Sequence, residues 1–271
     1  MMSRQLKTIY TCFPGGKHKV LTMSYDDGRA ADRRLVEIFN KNGIKGTFHL
    51  NSGIMGEDPE RIPLSEVKEL YKGHEVSCHT YTHPTISRCP LSEVVKQVML
   101  DREILEEACG YPVRGMSYPN GSYSEDIKKL LPACGIEYSR VVGNTDDFAM
   151  PEDFLEWTST CHHGHNLMDN AKRFAELFKK QYLYMMYVWG HSYEFDRDSS
   201  WGLIEEFCEY IGGRDDIWYA TNIEIVDYMN AAKNLRFSAK GDKAYNPSAV
   251  TVCISVDGKI YNIAAGETRE I

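Results

Sequence analysis

Two acidic residues stand side by side, Asp26 and Asp27, at the end of a short β-prone run, and Gly28 follows them at once. Adjacent carboxylates repel each other. The pair is useful where one anion binds a cation and its neighbour accepts a proton; in a loop, the same pair can serve only to cap the next helix. Gly28 permits the sharp turn that would aim both carboxylates into one mouth. A second group, His79-Thr80-Tyr81-Thr82-His83, lies further along. This spacing brings two imidazoles to one side of a turn, while Pro84 disfavours helix geometry at His83 and favours a tight loop. Taken singly, either histidine is an ordinary surface or core residue. With Asp27 they offer two nitrogens and one carboxylate oxygen, a set suited to a divalent cation, zinc above all, with a position left open for water.

These groups must be positioned by elements, and the chain alternates strand-like and helix-like segments. Strands are expected at residues 20–25, 46–50, 75–78, 115–118, 136–142, 184–189 and 217–220, and helices at 31–40, 63–71, 92–109, 125–134, 170–181, 203–211 and 223–233. Strands spaced by helices imply right-handed parallel crossovers. Seven or so such units suit a closed or nearly closed barrel, that is, an α/β fold of distorted (β/α)7 type. In such folds the chemistry gathers at the C-terminal ends of strands, where both motifs fall. From about residue 235 the texture changes: residues 250–256, Asp257-Gly258 and 260–263 form an expected hairpin. The expected organisation is a barrel over residues 1–234 and a small β appendage over 235–271.

With 271 residues and 42% hydrophobic content, the chain can bury a full core. Its net charge of −8 argues against nucleic-acid and anionic-membrane partners, and no apolar run approaches the ~20 residues needed to span a bilayer. The leading segment MMSRQLKTIYTCFPGGKHKV lacks the apolar stretch of a secretory signal. Eight scattered cysteines with no CxxC pair read as small buried residues in a reducing compartment. Both features point to the cytoplasm.

The motifs together resemble those of the polysaccharide deacetylases, carbohydrate esterase family four, in order from about residue 19 to 225. The segments that carry the likeness are Ser24-Tyr25-Asp26-Asp27-Gly28, His79-Thr80-Tyr81-Thr82-His83, Tyr118-Pro119-Asn120-Gly121 and Val188-Trp189-Gly190-His191. The resemblance implies a barrel of about seven strands and a metal-dependent hydrolase removing N-acetyl (or O-acetyl) groups from a sugar or oligosaccharide. It implies Asp27, His79 and His83 as metal ligands, Asp26 as general base, His191 as general acid and the Asn120 backbone N–H, in the motif opened by Tyr118, as an oxyanion donor.

Two departures stand out. The family's third motif commonly opens with an arginine that pairs with the base, but Ser117 occupies that place. Arg114 starts a strand whose other end faces the site, so Arg140, on the neighbouring strand, is the substitute expected to meet Asp26. Around His191 the usual short apolar run is replaced by Trp-Gly-His-Ser-Tyr-Glu-Phe, in which Trp189 and Tyr193 form either a sugar-stacking wall or buried packing. His162, His163 and His165 suggest a second metal site; a solvated loop is the expectation. Two other functions use the same residues: an amidohydrolase acting on a small non-sugar amide or a purine-derived ring, and a catalytically silent carbohydrate-binding protein. The complete set Asp26, Asp27, His79, His83 and His191 argues against silence.

Overall fold

A computed structural model describes residues 6–56 and 58–271; the first five residues of the leading segment lie outside the described residues. The strands in chain order are β1 Ile9–Cys12, β2 Lys19–Asp26, β3 Gly46–Leu50, β4 Glu75–Cys78, β5 Gly115–Ser117, β6 Tyr138–Arg140, β7 Cys161–His162, β8 Tyr184–Gly190, β9 Ile217–Tyr219, β10 Arg236–Phe237, β11 Lys243–Tyr245, β12 Val252–Val256, β13 Lys259–Ile263 and β14 Thr268–Glu270. The helices are α1 Asp32–Lys41, α2 Val67–Leu70, α3 Leu91–Cys109, α4 Glu125–Leu130, α5 Leu167–Ala175, α6 Tyr193–Arg197, α7 Trp201–Ile211 and α8 Asn222–Lys233.

Every residue of β2 is buried, and successive side chains go to opposite sides of the sheet. Tyr25 packs outward on Phe39 of α1, with ring centroids 5.8 Å apart. Thr22 and Ser24 face the barrel interior, where they meet Asn222 (2.7 Å) and His49 (2.8 Å). The interior is therefore a hydrogen-bonded polar network, and Asp26, next on the inward face, emerges at its top. The parallel strands run in the order β6-β5-β4-β3-β2-β8-β7. β3 takes the upper half of one edge of β2, through Met23–Asp26, and β9 takes the lower half, through Lys19–Leu21. The ring closes through the extended segment 157–162: Trp157 N–H donates to Ser139 O (3.0 Å) on one side, and Thr160 N–H to Tyr187 O (2.9 Å) on the other.

Several expected bounds shift. The two-residue strand β7 was not expected, since Cys161–His162 is too short to show a period. The strand expected to reach residue 142 stops at Arg140. The helix expected over 63–71 is a 3-10 turn, Leu64–Glu66, followed by the single turn α2. The helix expected over 170–181 is α5, which starts earlier and ends at Ala175; Leu177 still packs on the core, but Phe178 is 81% exposed. β12 and β13 form a hairpin whose Asp257-Gly258 turn has positive φ at both positions (50° and 85°), the primed geometry that matches strand twist. β1, from the other end of the chain, adds to its edge antiparallel to β12, and β10, β11 and β14 form a separate small sheet.

Candidate active site

The chain leaves β2 with Asp27 at φ 81° and Gly28 at φ 59°. Left-handed backbone at a non-glycine residue costs of order 1–3 kcal/mol and persists only where its surroundings enforce it. Here the Asp27 N–H donates to His49 O (2.9 Å), and the Arg61 guanidinium donates to the Asp27 carbonyl. Thr80 (65°), His83 (59°) and Asn120 (56°) share this conformation, so backbone strain gathers at the three motif loops. The loop after β4 is held from beneath. Asn51 Nδ2 donates to the carbonyls of His79 (2.6 Å) and Thr80 (3.0 Å), and the buried Asp101 carboxylate accepts from the N–H groups of His79 (3.1 Å) and Ser52 (2.8 Å). Burial pushes the Asp101 carboxyl up to about 7 against those hydrogen bonds.

Asp27, His79 and His83 each offer one ligand atom, and these atoms lie within 4.8 Å of one another. Oδ1 of Asp27 is 4.0 Å from His79 Nε2 and 3.8 Å from His83 Nε2. The His79 Nδ1–H donates to Ser117 O (2.9 Å), which assigns the tautomer and leaves the Nε2 lone pair facing the mouth. Burial lowers the His79 imidazole to about 4 despite the nearby Asp26 and Asp27, so the ring is neutral and ligand-competent at neutral pH. This donor set fits a divalent cation.

Asp26 is buried and forms an ion pair with the fully buried Arg140. Ser117 Oγ–H donates to its other oxygen (3.1 Å), and Ser117 Oγ also lies 2.7 Å from His79 Nδ1. Burial pushes the Asp26 carboxyl up, but the Arg140 charge, helped by His79, outweighs it and holds the group well below the usual carboxylate range. Arg140 in turn lies over the ring of Trp189 (4.5 Å), whose indole N–H donates to Gly143 O (3.0 Å). Ser117, which stands in place of the family's arginine, thus links Asp26 to a member of the cation cluster.

His191 follows β8. Its Nδ1 is 3.5 Å from Glu194 Oε2. Burial lowers its pKa, but the Glu194, Asp26 and Asp27 carboxylates more than offset this and raise it above the ordinary value. Tyr193 is half-buried at the mouth beneath the Arg29 guanidinium (4.9 Å). In the Tyr118-Gly121 segment, the turn's hydrogen bonds come from the N–H groups of Gly121 and Ser122; the Asn120 N–H is not among those donors.

Three expectations are corrected. Tyr118 is buried, stacked on Tyr123 (4.9 Å) with its hydroxyl donating to Leu155 O (2.7 Å), so its side chain cannot face a ligand at the mouth. Trp189 is buried packing, with Arg140 on its face and His162 against it (4.7 Å), and not a stacking wall. His162 and His163 are not in a solvated loop: His163 stacks between Tyr25 (5.7 Å) and Phe195 (4.2 Å), and His162 Nε2 meets Glu194 Oε2 at 2.8 Å. His165 lies further out, paired with Asp146 (3.0 Å). Sequence reasoning missed Asp101 and Glu194. Asp101 was signalled by a carboxylate on the apolar face of α3, and Glu194 by its place three residues after His191.

The polar-cored β/α barrel thus carries an Asp-His-His cluster that could hold a divalent cation, with the buried Asp26 beside it and His191 at the end of β8. Residues 14–139, a little under half of the chain, match the family model described as polysaccharide deacetylase. The chitooligosaccharide deacetylase of Bradyrhizobium sp. (strain ANU 289) is 26% identical over 132 residues, 48% of this chain and 58% of that protein, so the chain spans little more than half the length of this relative. A Mycobacterium smegmatis protein assigned to the polysaccharide deacetylases has the same fold, with a TM-score of 0.62 at 17% identity over 82% of this chain and 93% of that one. The fold also matches a family 4 carbohydrate esterase pseudoenzyme of Bacillus anthracis, with a TM-score of 0.50 at 19% identity over 80% of this chain and 68% of the other.

Proposed function

We propose that this chain hydrolyses the N-acetyl amide of a carbohydrate, releasing acetate and a free amino sugar. One observation carries the reading: Asp27, His79 and His83 converge within 4.8 Å beside an Asp26 that Arg140 keeps ionised. The fold alone does not carry it, since a pseudoenzyme shares that fold.

Asp27, His79 and His83 would hold the cation, and two nitrogens with one carboxylate oxygen favour zinc. A divalent cation so held lowers the pKa of water and polarises the acetyl carbonyl. Asp26, with one oxygen fixed by Arg140 and the other by Ser117, accepts the proton of the attacking water. The Asn120 N–H, turned by its positive φ, stabilises charge developing on the carbonyl oxygen. His191, whose pKa the neighbouring carboxylates raise, gives its proton to the amine as the amide C–N bond breaks. Tyr193 and Arg29 line the mouth where the sugar would sit. Among the described residues no helix is long and apolar enough to cross a membrane, and the eight free thiols support a reducing compartment, the cytoplasm.

The test is acetate release from N-acetylated chitooligosaccharides by zinc-replete protein, with small cyclic and linear amides in parallel. Acetate from the oligosaccharides supports the proposal; turnover confined to the small amides replaces it with an amidohydrolase, and no turnover of either class rejects it.

A further inference from the structure

Beside the cluster described above lies a second convergence of donors. His162 Nε2, His163 Nε2 and His191 Nδ1 point at one oxygen, Glu194 Oε2, at 2.8, 3.3 and 3.5 Å. One carboxylate oxygen has two lone pairs and cannot satisfy three imidazoles. The surplus is visible, since His191 Nδ1 is buried with no hydrogen-bond partner among the described residues. His162, His191 and Glu194 each offer a ligand atom within 4.8 Å of the others. The three come from separate places, the end of β7, the end of β8 and α6, and Trp189 and Phe195 wall the cluster, packing on His162 and His163 (4.7 and 4.2 Å).

We propose that His162, His191 and Glu194 form a second divalent-cation site, of the borderline-soft type that zinc prefers, and that its occupation inhibits the enzyme. Two nitrogens and a carboxylate oxygen are a zinc-type donor set. His163 braces Glu194 from the buried side. The site takes His191 by Nδ1. A cation there adds positive charge directly to the ring that the proposed reaction needs as a proton donor, and that ring cannot then carry its extra proton. The inhibitory consequence rests on the deacetylase reading; the binding does not.

The experiment is equilibrium dialysis of metal-free full-length protein against zinc, with elemental analysis, on the natural sequence and on Glu194→Gln, His162→Gln and Asp27→Asn. The natural chain should take up a second zinc, weaker than the first. Glu194→Gln and His162→Gln should each lose that weaker ion and keep the tighter one, while Asp27→Asn loses the tighter one and keeps the weaker. The inference is overturned if the natural chain binds a single zinc, or if both Glu194→Gln and His162→Gln retain the second. In the activity arm, the rate in excess zinc relative to that at one equivalent should fall at least tenfold for the natural chain and stay flat for His162→Gln. A fall that persists in His162→Gln overturns the inhibitory role. Failure of deacetylation leaves the stoichiometry arm standing, so the two readings fail separately.

Discussion

Two neighbouring carboxylates acquire different roles because the backbone turns between them. Asp26 is still on β2 and points into the barrel at Arg140 and Ser117, whereas Asp27, at φ 81°, is thrown toward His79 and His83. Asp26→Asn should therefore keep the metal and lose on the order of 10²–10⁴ in turnover, while Asp27→Asn should lose the tightly held ion; elemental analysis and acetate release on both variants separate the two. Loss of that ion in Asp26→Asn instead would reverse the assignment. Arg140→Met removes the charge that counters burial at Asp26, so the Asp26 pKa must rise. A base with a raised pKa is active only at higher pH, and the acid limb of the pH–rate profile should move upward with metal content unchanged. An unshifted limb would mean that Asp26 is not the base. The motif residues were legible because local spacing alone brings His79 to His83 and Asp26 to Asp27. Glu194 and Asp101 were not: their roles depend on contacts between segments far apart in sequence, and a lone carboxylate on a helix carries no signal of what it meets.

At the scale of elements, the polar barrel interior depends on a few side chains that tie several strands at once. Glu75 of β4 accepts from Thr47 Oγ1 of β3 (3.0 Å), Tyr138 OH of β6 (2.7 Å) and the Ile223 N–H of α8 (2.9 Å). Burial pushes its carboxyl from 4.5 up to about 7, only partly offset by those three donors. Between these two values the folded chain holds a proton that the unfolded chain has released. Stability therefore falls as pH rises through that window and levels off above it, by up to about 3 kcal/mol. Thermal unfolding of Glu75→Gln from pH 5 to 8 should show a flatter dependence than the natural chain; parallel curves would exclude Glu75 as the source. The strands themselves were readable as β-prone runs bounded by turn residues, because parallel strands covered on both faces have few charges. β7 was not, since two residues have no period.

At the scale of the whole molecule, strands from near the two chain ends pair directly, and one hydroxyl ties both of them to α8. The Asp-Gly hairpin was visible in sequence, but β1 as its third strand was not, because Cys12 and its register partner Cys253 stand near opposite ends of the chain. Between them sits Tyr228 of α8, whose hydroxyl donates to Cys12 O and accepts from the Cys253 N–H (2.9 Å). α8 is thereby fixed to both β1 and β12, and its N-terminal residue Asn222 reaches the barrel interior through Thr22 (2.7 Å) and Tyr187 (2.6 Å). One helix therefore connects the terminal sheet to the strands that carry the site. Tyr228→Phe keeps the ring packing against Phe13 and Trp218 (6.3 and 5.3 Å) and removes only the hydroxyl. Two buried backbone groups would each lose a partner, at about 1–3 kcal/mol per group left unsatisfied. The urea midpoint should fall accordingly, and amide exchange should quicken along β1 and β12 while the amides of β3 and β4 stay protected. Equal quickening in all four strands would show that the hydroxyl supports the barrel as a whole; no change in any would show that the terminal sheet is held by its apolar contacts alone.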